Sequence, residues 1–418
     1  MVSIEDKKIK PNKKIIDDLK IQIIYIPLES TLGYKYKLKA KVGDYVCIDD
    51  VIGVNIATDL PLKSNVSGTI VGLEKKHISN GKLVDCVVVE NDFKEKYRNK
   101  IGKRKDITSY SKESFIYALQ NGAITEMDGS DYPTFLKYDI KEEINCLIIN
   151  SVESEIYSSA DNAIMYHHPE EILETIDAIM EIMNIKKAYI AINENNNLII
   201  KKFLKYINTY PNIKIYPIID AYPSGWEKSV VYTITGKTYK NNPNEIGVIT
   251  NNVSTIYSIY ELLKFSRPQT EKIITISGPG IKKQANYKVK IGTNFNEIIL
   301  KTEGYNKINN PVLIAGGAMT GTSIENDDLI ITKDLNTILV LDVEPISSKS
   351  CIKCGKCSEV CPAGIMPVMI IDNEEQAKKL KIDKCIECGL CSYVCPAKIE
   401  VREMLKSIKE KQWKNSKK

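Results

Sequence analysis

CIKCGKCSEVCP at 351–362 and CIECGLCSYVCP at 385–396 share one spacing. Each reads C-x2-C-x2-C-x3-C-P, and together they hold eight of the chain's 11 cysteines. In this pattern three close cysteines wrap a loop around one iron–sulfur cube, and the fourth, on the helix that follows, points to the other cube. The spacing therefore predicts two [4Fe–4S] clusters. Cys351, Cys354, Cys357 and Cys395 are expected to hold the first; Cys385, Cys388, Cys391 and Cys361 the second. Gly355 and Gly389 permit the tight loops. Pro362 and Pro396 redirect the chain and carry no amide donor. Structural zinc sites use paired C-x2-C units, not a triplet with a fourth cysteine and a proline.

Outward from these motifs, 418 residues suggest two to four domains. Hydrophobic residues make up 43%, enough to bury real cores, and charged residues 27%. The net charge of +5, from 58 basic and 53 acidic residues, reads as a mild excess spread along the chain. It argues weakly at most for nucleic acid or membrane, and no nucleic-acid partner is expected. No apolar run approaches the ~18 residues of a spanning helix, and MVSIEDKKIK lacks the apolar core of a signal peptide. A cytoplasmic protein is expected, with peripheral docking on the cytoplasmic membrane face as the alternative. In a reducing compartment clustered cysteines bind metal. Cys47, Cys86 and Cys146 stand alone in apolar runs and are expected to be buried, inert thiols.

Upstream, residues 21–95 read as short strands separated by turns, among them IQIIYIPL, GTIVGLE and LVDCVVVE. The turns at Val42-Gly43-Asp44 and Val66-Ser67-Gly68 suggest a lipoyl-type barrel-sandwich hybrid. Lys63 lies between them without the MKM or DKA tip of a modified carrier, so a structural role is expected. Residues 96–140 are charged and mixed. From 141 to about 265, strands and helices alternate as a βαβαβ unit, which predicts a parallel sheet with helices packed on it. Ligands of such sheets bind beyond the carboxyl ends of the strands, here 150–155 and 220–225. A small β-rich module with one helix follows from 271. The expected domains are a barrel-sandwich at 1–95, an α/β domain at 96–268, a β-grasp-like module at 269–344 and a cluster domain at 345–402. A basic helical tail, 403–418, is expected to fray. Thr235-Gly236-Lys237-Thr238 lacks the leading glycine of a phosphate loop, since 231 is Val231. His167 and His168 precede Pro169 and read as packing or capping residues.

The order of these segments resembles the C subunit of the Rnf electron-transport complex. That RnfC-like family also includes relatives associated with D-proline reductase and cobalamin reductases, and it looks like the flavin subunit of respiratory complex I. NSVESEIYSSADNAIM, from Asn150, resembles the family's NGAECEPYLTSDYRLM. YPSGWEKSVVYTITGK resembles YPQGGEKQLIYALTGR, and GVITNNV resembles GVIVNNV. ISGPGIKKQANYKVKIGT looks like the SLBB module, and GGAMTG resembles GGPMMG. The resemblance implies an α/β multidomain chain: a barrel-sandwich hybrid, an α/β flavin-type domain, a β-grasp-like SLBB module and a bacterial ferredoxin-like dicluster domain.

The resemblance also implies FMN, held in the family by a glycine-rich loop close to GIVGLGGAGFPT. The matching stretch here is AITEMDGSDYPTFLK, 123–137, which keeps Gly129, Tyr132, Pro133, Thr134 and Lys137. Glu126, Asp128 and Asp131 replace other positions, and carboxylates beside a phosphate repel it. Gly129, Lys137, Asn150, Glu153 and Glu155 are the flavin-site candidates, and the acidic loop weighs against them. Glu227 and Lys228 match a pair at the family's NADH site, but Trp226 stands where the family has glycine. The expected function is single-electron relay through the two clusters to a partner oxidoreductase. The partners are electron-donor and electron-acceptor proteins, in an Rnf-type membrane complex or a soluble reductase. A complete FMN-dependent NADH dehydrogenase subunit and a structural assembly subunit are the alternatives.

Overall fold

Alternating apolar residues between 21 and 91 build two small facing sheets. One pairs Ile23–Pro27, Leu83–Asn91, Gly68–His77 and Tyr45–Val46; the other pairs Tyr36–Leu38, Val51–Asn55 and Pro61–Lys63. Their inward side chains, including Ile24, Ile52, Ile70 and Val87, form one core, as a strand's alternation requires. Lys63 is buried and paired with Asp49, so no modifiable tip is presented. The computed structural model describes residues 14–98, 106–153 and 155–415. The first residues of the chain, Ser154 and the end of the tail lie outside that set.

The central sheet is parallel, in the order Ile213–Ile218, Lys187–Asn193, Cys146–Asn150, Val248–Asn252. Cys146–Ile149 are buried, as a strand covered on both faces must be. Helices Pro169–Ile182 and Val253–Phe265 pack in the large core on one face. Glu227–Thr235 covers the other face with Val230 and Val231. Residues 106–140 hold more order than the charge of this region suggests. Ser111 caps the helix Lys112–Asn121, which inserts Phe115 and Leu119 into the large core. Gly236, with φ 70°, terminates the helix Glu227–Thr235. The TGKT stretch is thus a helix end, whereas phosphate loops sit at helix starts.

Glu271–Ser277, Ala285–Lys290, Pro311–Ala315, Thr322–Ile324 and Thr337–Asp342 form a further sheet, with helix Phe295–Leu300 packed on it. Its sixth strand is Ile15–Ile16, which pairs in parallel with Asn286 and Tyr287. This short strand thus ties the segment before the barrel to the neighbouring sheet. In the cluster domain, Ile365, Ile370, Ala377, Ile382 and Val401 make a small core with Leu405 and Ile408. The last two belong to helix Val401–Asn415 and are each 2% exposed. The start of the tail, expected to fray from 403, is therefore packed, because Leu405 and Ile408 sit one turn apart on the helix's inner face. Among the described residues no helix is long and apolar enough to cross a membrane.

Candidate functional site

The two cysteine runs form two cavities. One is lined by Cys351, Cys354, Cys357 and Cys395 and has a volume of about 360 Å³. The other is lined by Cys361, Cys385, Cys388 and Cys391. In each, three cysteines of one run meet the last cysteine of the other. Gly355 and Gly389, with φ of 78° and 81°, turn the loops before the short helices Lys356–Glu359 and Leu390–Tyr393. Among the described residues no group of three or more His, Cys, Asp or Glu is placed to hold a single metal ion. Four thiols lining each cavity are the donor set that iron–sulfur cubes take. Burial first, then Cys385 and Cys388, push the Cys391 thiol up to about 12. A cation is what makes such a sulfur a thiolate.

The environments of the cavities differ. Cys351 and Cys354 are exposed, whereas Cys388 is buried. Cys388 packs with Leu390 against Tyr222, Trp226 and Met319. The Tyr222 hydroxyl donates to the Cys388 carbonyl at 2.6 Å. A Cβ on Gly389 would lie 2.5 Å from the Met319 carbonyl, so only glycine permits this backbone approach. Arg402 donates to the carbonyls of Glu387 (2.8 Å) and Thr320 (3.1 Å). Trp226 thus packs toward the second cavity.

Glu155 belongs to the same joint. Its carboxylate accepts from the Met319 amide at 3.0 Å and from the Thr320 hydroxyl. A Cβ on Gly317 would come within 2.2 Å of that carboxylate. A residue read as flavin-facing therefore clamps the loop 317–320 against the cluster domain. Glu153 accepts from Ser158 Oγ (2.9 Å), the Asp161 amide (3.3 Å) and Asn162 Nδ2 (2.6 Å). Burial, then Asp161, push its carboxyl up to about 8. Asn150 ends its strand and donates to the Gly225 carbonyl at 2.8 Å.

The loop 123–137 answers whether a flavin phosphate fits. Glu126 is fully buried. Its carboxylate accepts from Thr134 Oγ1 (3.1 Å), Asn251 Nδ2 (2.7 Å) and the Asn252 amide (3.3 Å), and Lys137 Nζ lies 3.3 Å away. Burial raises its pKa and Lys137 opposes the rise. Donors that could meet an anion are thus spent on the chain's own carboxylate. Asp128 accepts from the Ser130 amide at 2.9 Å, closing a turn in which Gly129 has φ 95°. A Cβ on Gly129 would meet nothing within 4 Å, so this glycine serves the turn rather than a close backbone approach. Of the five flavin-site candidates, Lys137 alone lines the neighbouring cavity of about 320 Å³, with Asp128, Tyr132, Glu227 and Thr250. These residues do not fit a flavin phosphate. Sequence reasoning named the acidic loop but missed that Glu126 turns inward; the pairing with Asn251, 125 residues away, leaves no local signal.

Three family models match the chain: the RnfC barrel sandwich hybrid domain at 2–94, the Nuo51 FMN-binding domain at 119–261 and the 4Fe-4S dicluster domain at 350–399. The C subunit of the ion-translocating oxidoreductase complex of Haemophilus influenzae (strain PittEE) is 30% identical, over 82% of this chain and 54% of that protein. The C subunit of the Na(+)-translocating ferredoxin:NAD(+) oxidoreductase complex of Acetobacterium woodii is 28% identical, over 85% of this chain and 82% of its own length. The chain spans about half the length of the Haemophilus relatives it matches. A crystal structure of an NAD+-reducing [NiFe]-hydrogenase in the H2-reduced state shares the fold, with TM-score 0.51, 13% identity and coverage of 73% of this chain and 56% of that one. The barrel model, the dicluster model and these relatives together show that the chain belongs to the RnfC-like family.

Proposed function

We propose that the chain is an electron-transfer subunit of an Rnf-type complex, relaying single electrons through two [4Fe–4S] clusters to a partner oxidoreductase. The observation that carries this is the pair of cavities, each lined by four cysteines drawn from both runs. Cys351, Cys354, Cys357 and Cys395 would hold one cluster and Cys361, Cys385, Cys388 and Cys391 the other. Such clusters supply one-electron transfer at potentials set by burial and by hydrogen bonds to sulfur. The Cys351 sulfur accepts from the Lys353 amide at 3.4 Å, and the Cys395 sulfur from the Ile399 amide at 3.5 Å. Tyr222, Leu390 and Met319 pack around Cys388 of the second cavity. The α/β domain acts as the scaffold that presents this inner cavity, within the four-domain division set out above. The A. woodii relative's name supports a ferredoxin and NAD(+) context for the whole complex.

The test is iron and flavin per chain in one anaerobic preparation. About eight irons with flavin near zero supports the relay. Iron far below that in a folded sample overturns it. Flavin near one per chain, with clusters reduced by NADH alone, would favour the second reading, a complete flavoenzyme, which the retained Asn150–Glu155 stretch motivates. An assembly role is separated by Cys354→Ser and Cys388→Ser: electron flow that stops while the complex still forms excludes it.

A further inference from the structure

The charge of this molecule is not spread along the chain. Residues 345–418 hold 15 of the basic side chains against nine acidic ones, so the cluster domain and its tail account for the whole +5 and the rest is close to neutral. Within that domain the two cavities face different surroundings. The one lined by Cys388 is covered by Tyr222, Trp226 and Met319. The one lined by Cys351 and Cys354 meets solvent, and Lys349, Lys353 and Lys356, all exposed, stand on its rim. Asp372 is the one carboxylate among its lining residues. Ile352, 66% exposed, and Met404, 41% exposed, line the same cavity. An apolar centre with a charged rim is the anatomy of a recognition surface, and rim charges of one sign steer a partner of the other.

We propose that this face is the docking surface for an acidic one-electron carrier protein, seated on Ile352 and Met404 and steered by Lys349, Lys353 and Lys356. The proposal rests on the reading that these cavities hold clusters. One electron crosses, no bond forms or breaks, and what the carrier loses the chain gains, or the reverse. The buried second cavity then carries the electron between this face and the interior of the molecule.

The test uses the full, cluster-loaded chain and an acidic two-cluster ferredoxin, with the basic protein cytochrome c as control. Affinity is measured by titration at low and high salt. Iron content and absorbance are recorded for every variant. Ferredoxin is expected to bind with an affinity that falls steeply as salt rises, and K349E/K353E/K356E to weaken it at least about tenfold. K378E/K379E, exposed lysines away from the cavity, should leave it unchanged. If the reversed charges disturb iron, the neutral K349Q/K353Q/K356Q is read instead, with a smaller loss. Equal losses from both lysine sets, or equal binding of cytochrome c, overturns the proposal. So does binding of vesicles of anionic phospholipid that competes with ferredoxin and is lost in the rim variant, which assigns the face to a membrane. Absent iron in the wild type would instead fail the cluster reading, and the two failures are distinct.

Discussion

Glu126→Gln should raise this chain's affinity for FMN. Glu126 is fully buried and holds Thr134, Asn251, the Asn252 amide and Lys137. A phosphate oxygen taking over those donors would sit within about 5 Å of the carboxylate. Two unit charges that far apart repel by roughly 3 kcal/mol at an effective dielectric near 20. Since about 1.4 kcal/mol is a factor of ten, removing the charge should raise affinity at least ~100-fold. Glutamine keeps the shape and leaves Lys137 free to meet an anion. Quenching of flavin fluorescence reads the binding, and riboflavin, which lacks the phosphate, should gain little. The substitution also removes the ion-pair partner of Lys137, whose ammonium still donates to the Thr250 carbonyl at 2.9 Å. The Lys137 side chain keeps 17% exposure, so the loss of stability should fall toward the lower end of the ~3–5 kcal/mol typical of a broken buried pair. FMN binding as tight in the wild type as in E126Q would refute the reasoning, as would an equal gain for riboflavin.

Other outcomes follow from the joint and from the cavities. Cys361→Ser, though in the first run, should abolish the same cluster as Cys385→Ser, with iron falling from about eight to about four per chain and matching spectra in the two variants. Loss of different clusters would break the crosswise assignment. Tyr222→Phe leaves the Cys388 carbonyl without its 2.6 Å donor, and urea unfolding should show a loss of ~1–3 kcal/mol. No change would mean that water takes the hydroxyl's place. Glu153, pushed up to about 8, binds a proton more tightly folded than unfolded. Its contribution is complete below about 4.5 and is lost as pH rises toward about 8, at no more than ~1.4 kcal/mol per pH unit. Stability should therefore fall from pH 6 to 8, and Glu153→Gln should flatten that slope; an unchanged slope assigns the dependence elsewhere.

Some of this was legible in the sequence because it is local. The cysteine spacing is read within 12 residues, and the parallel strands Cys146–Asn150 and Lys187–Asn193 announce themselves as apolar runs. The helix Lys112–Asn121 was hidden in charge, since Phe115 and Leu119 are too few to stand out. The contacts of the flavin-type residues have no local signal. Glu155 keeps its place in a matching motif, but it meets Gly317, Met319 and Thr320, more than 160 residues away. Glu126 was seen as an obstacle to phosphate, while the fold makes it the anion that satisfies the site.

The net charge misled by averaging. A value of +5 over 418 residues conceals a basic C-terminal region, most of whose excess lies in the tail 403–418, joined to a nearly neutral remainder. That separation matters because the domain's two cavities are chemically alike and differ in what covers them. Tyr222 and Met319 pack against Cys388 of one, and three exposed lysines line the other. Screening by salt reaches exposed charges but scarcely touches buried ones. Electron exchange at the outer face should therefore depend on ionic strength, while transfer between the two cavities should not. A relay with one salt-sensitive step is the kinetic signature of this arrangement, and two equally sensitive steps would mean that the inner cavity is open to solvent as well.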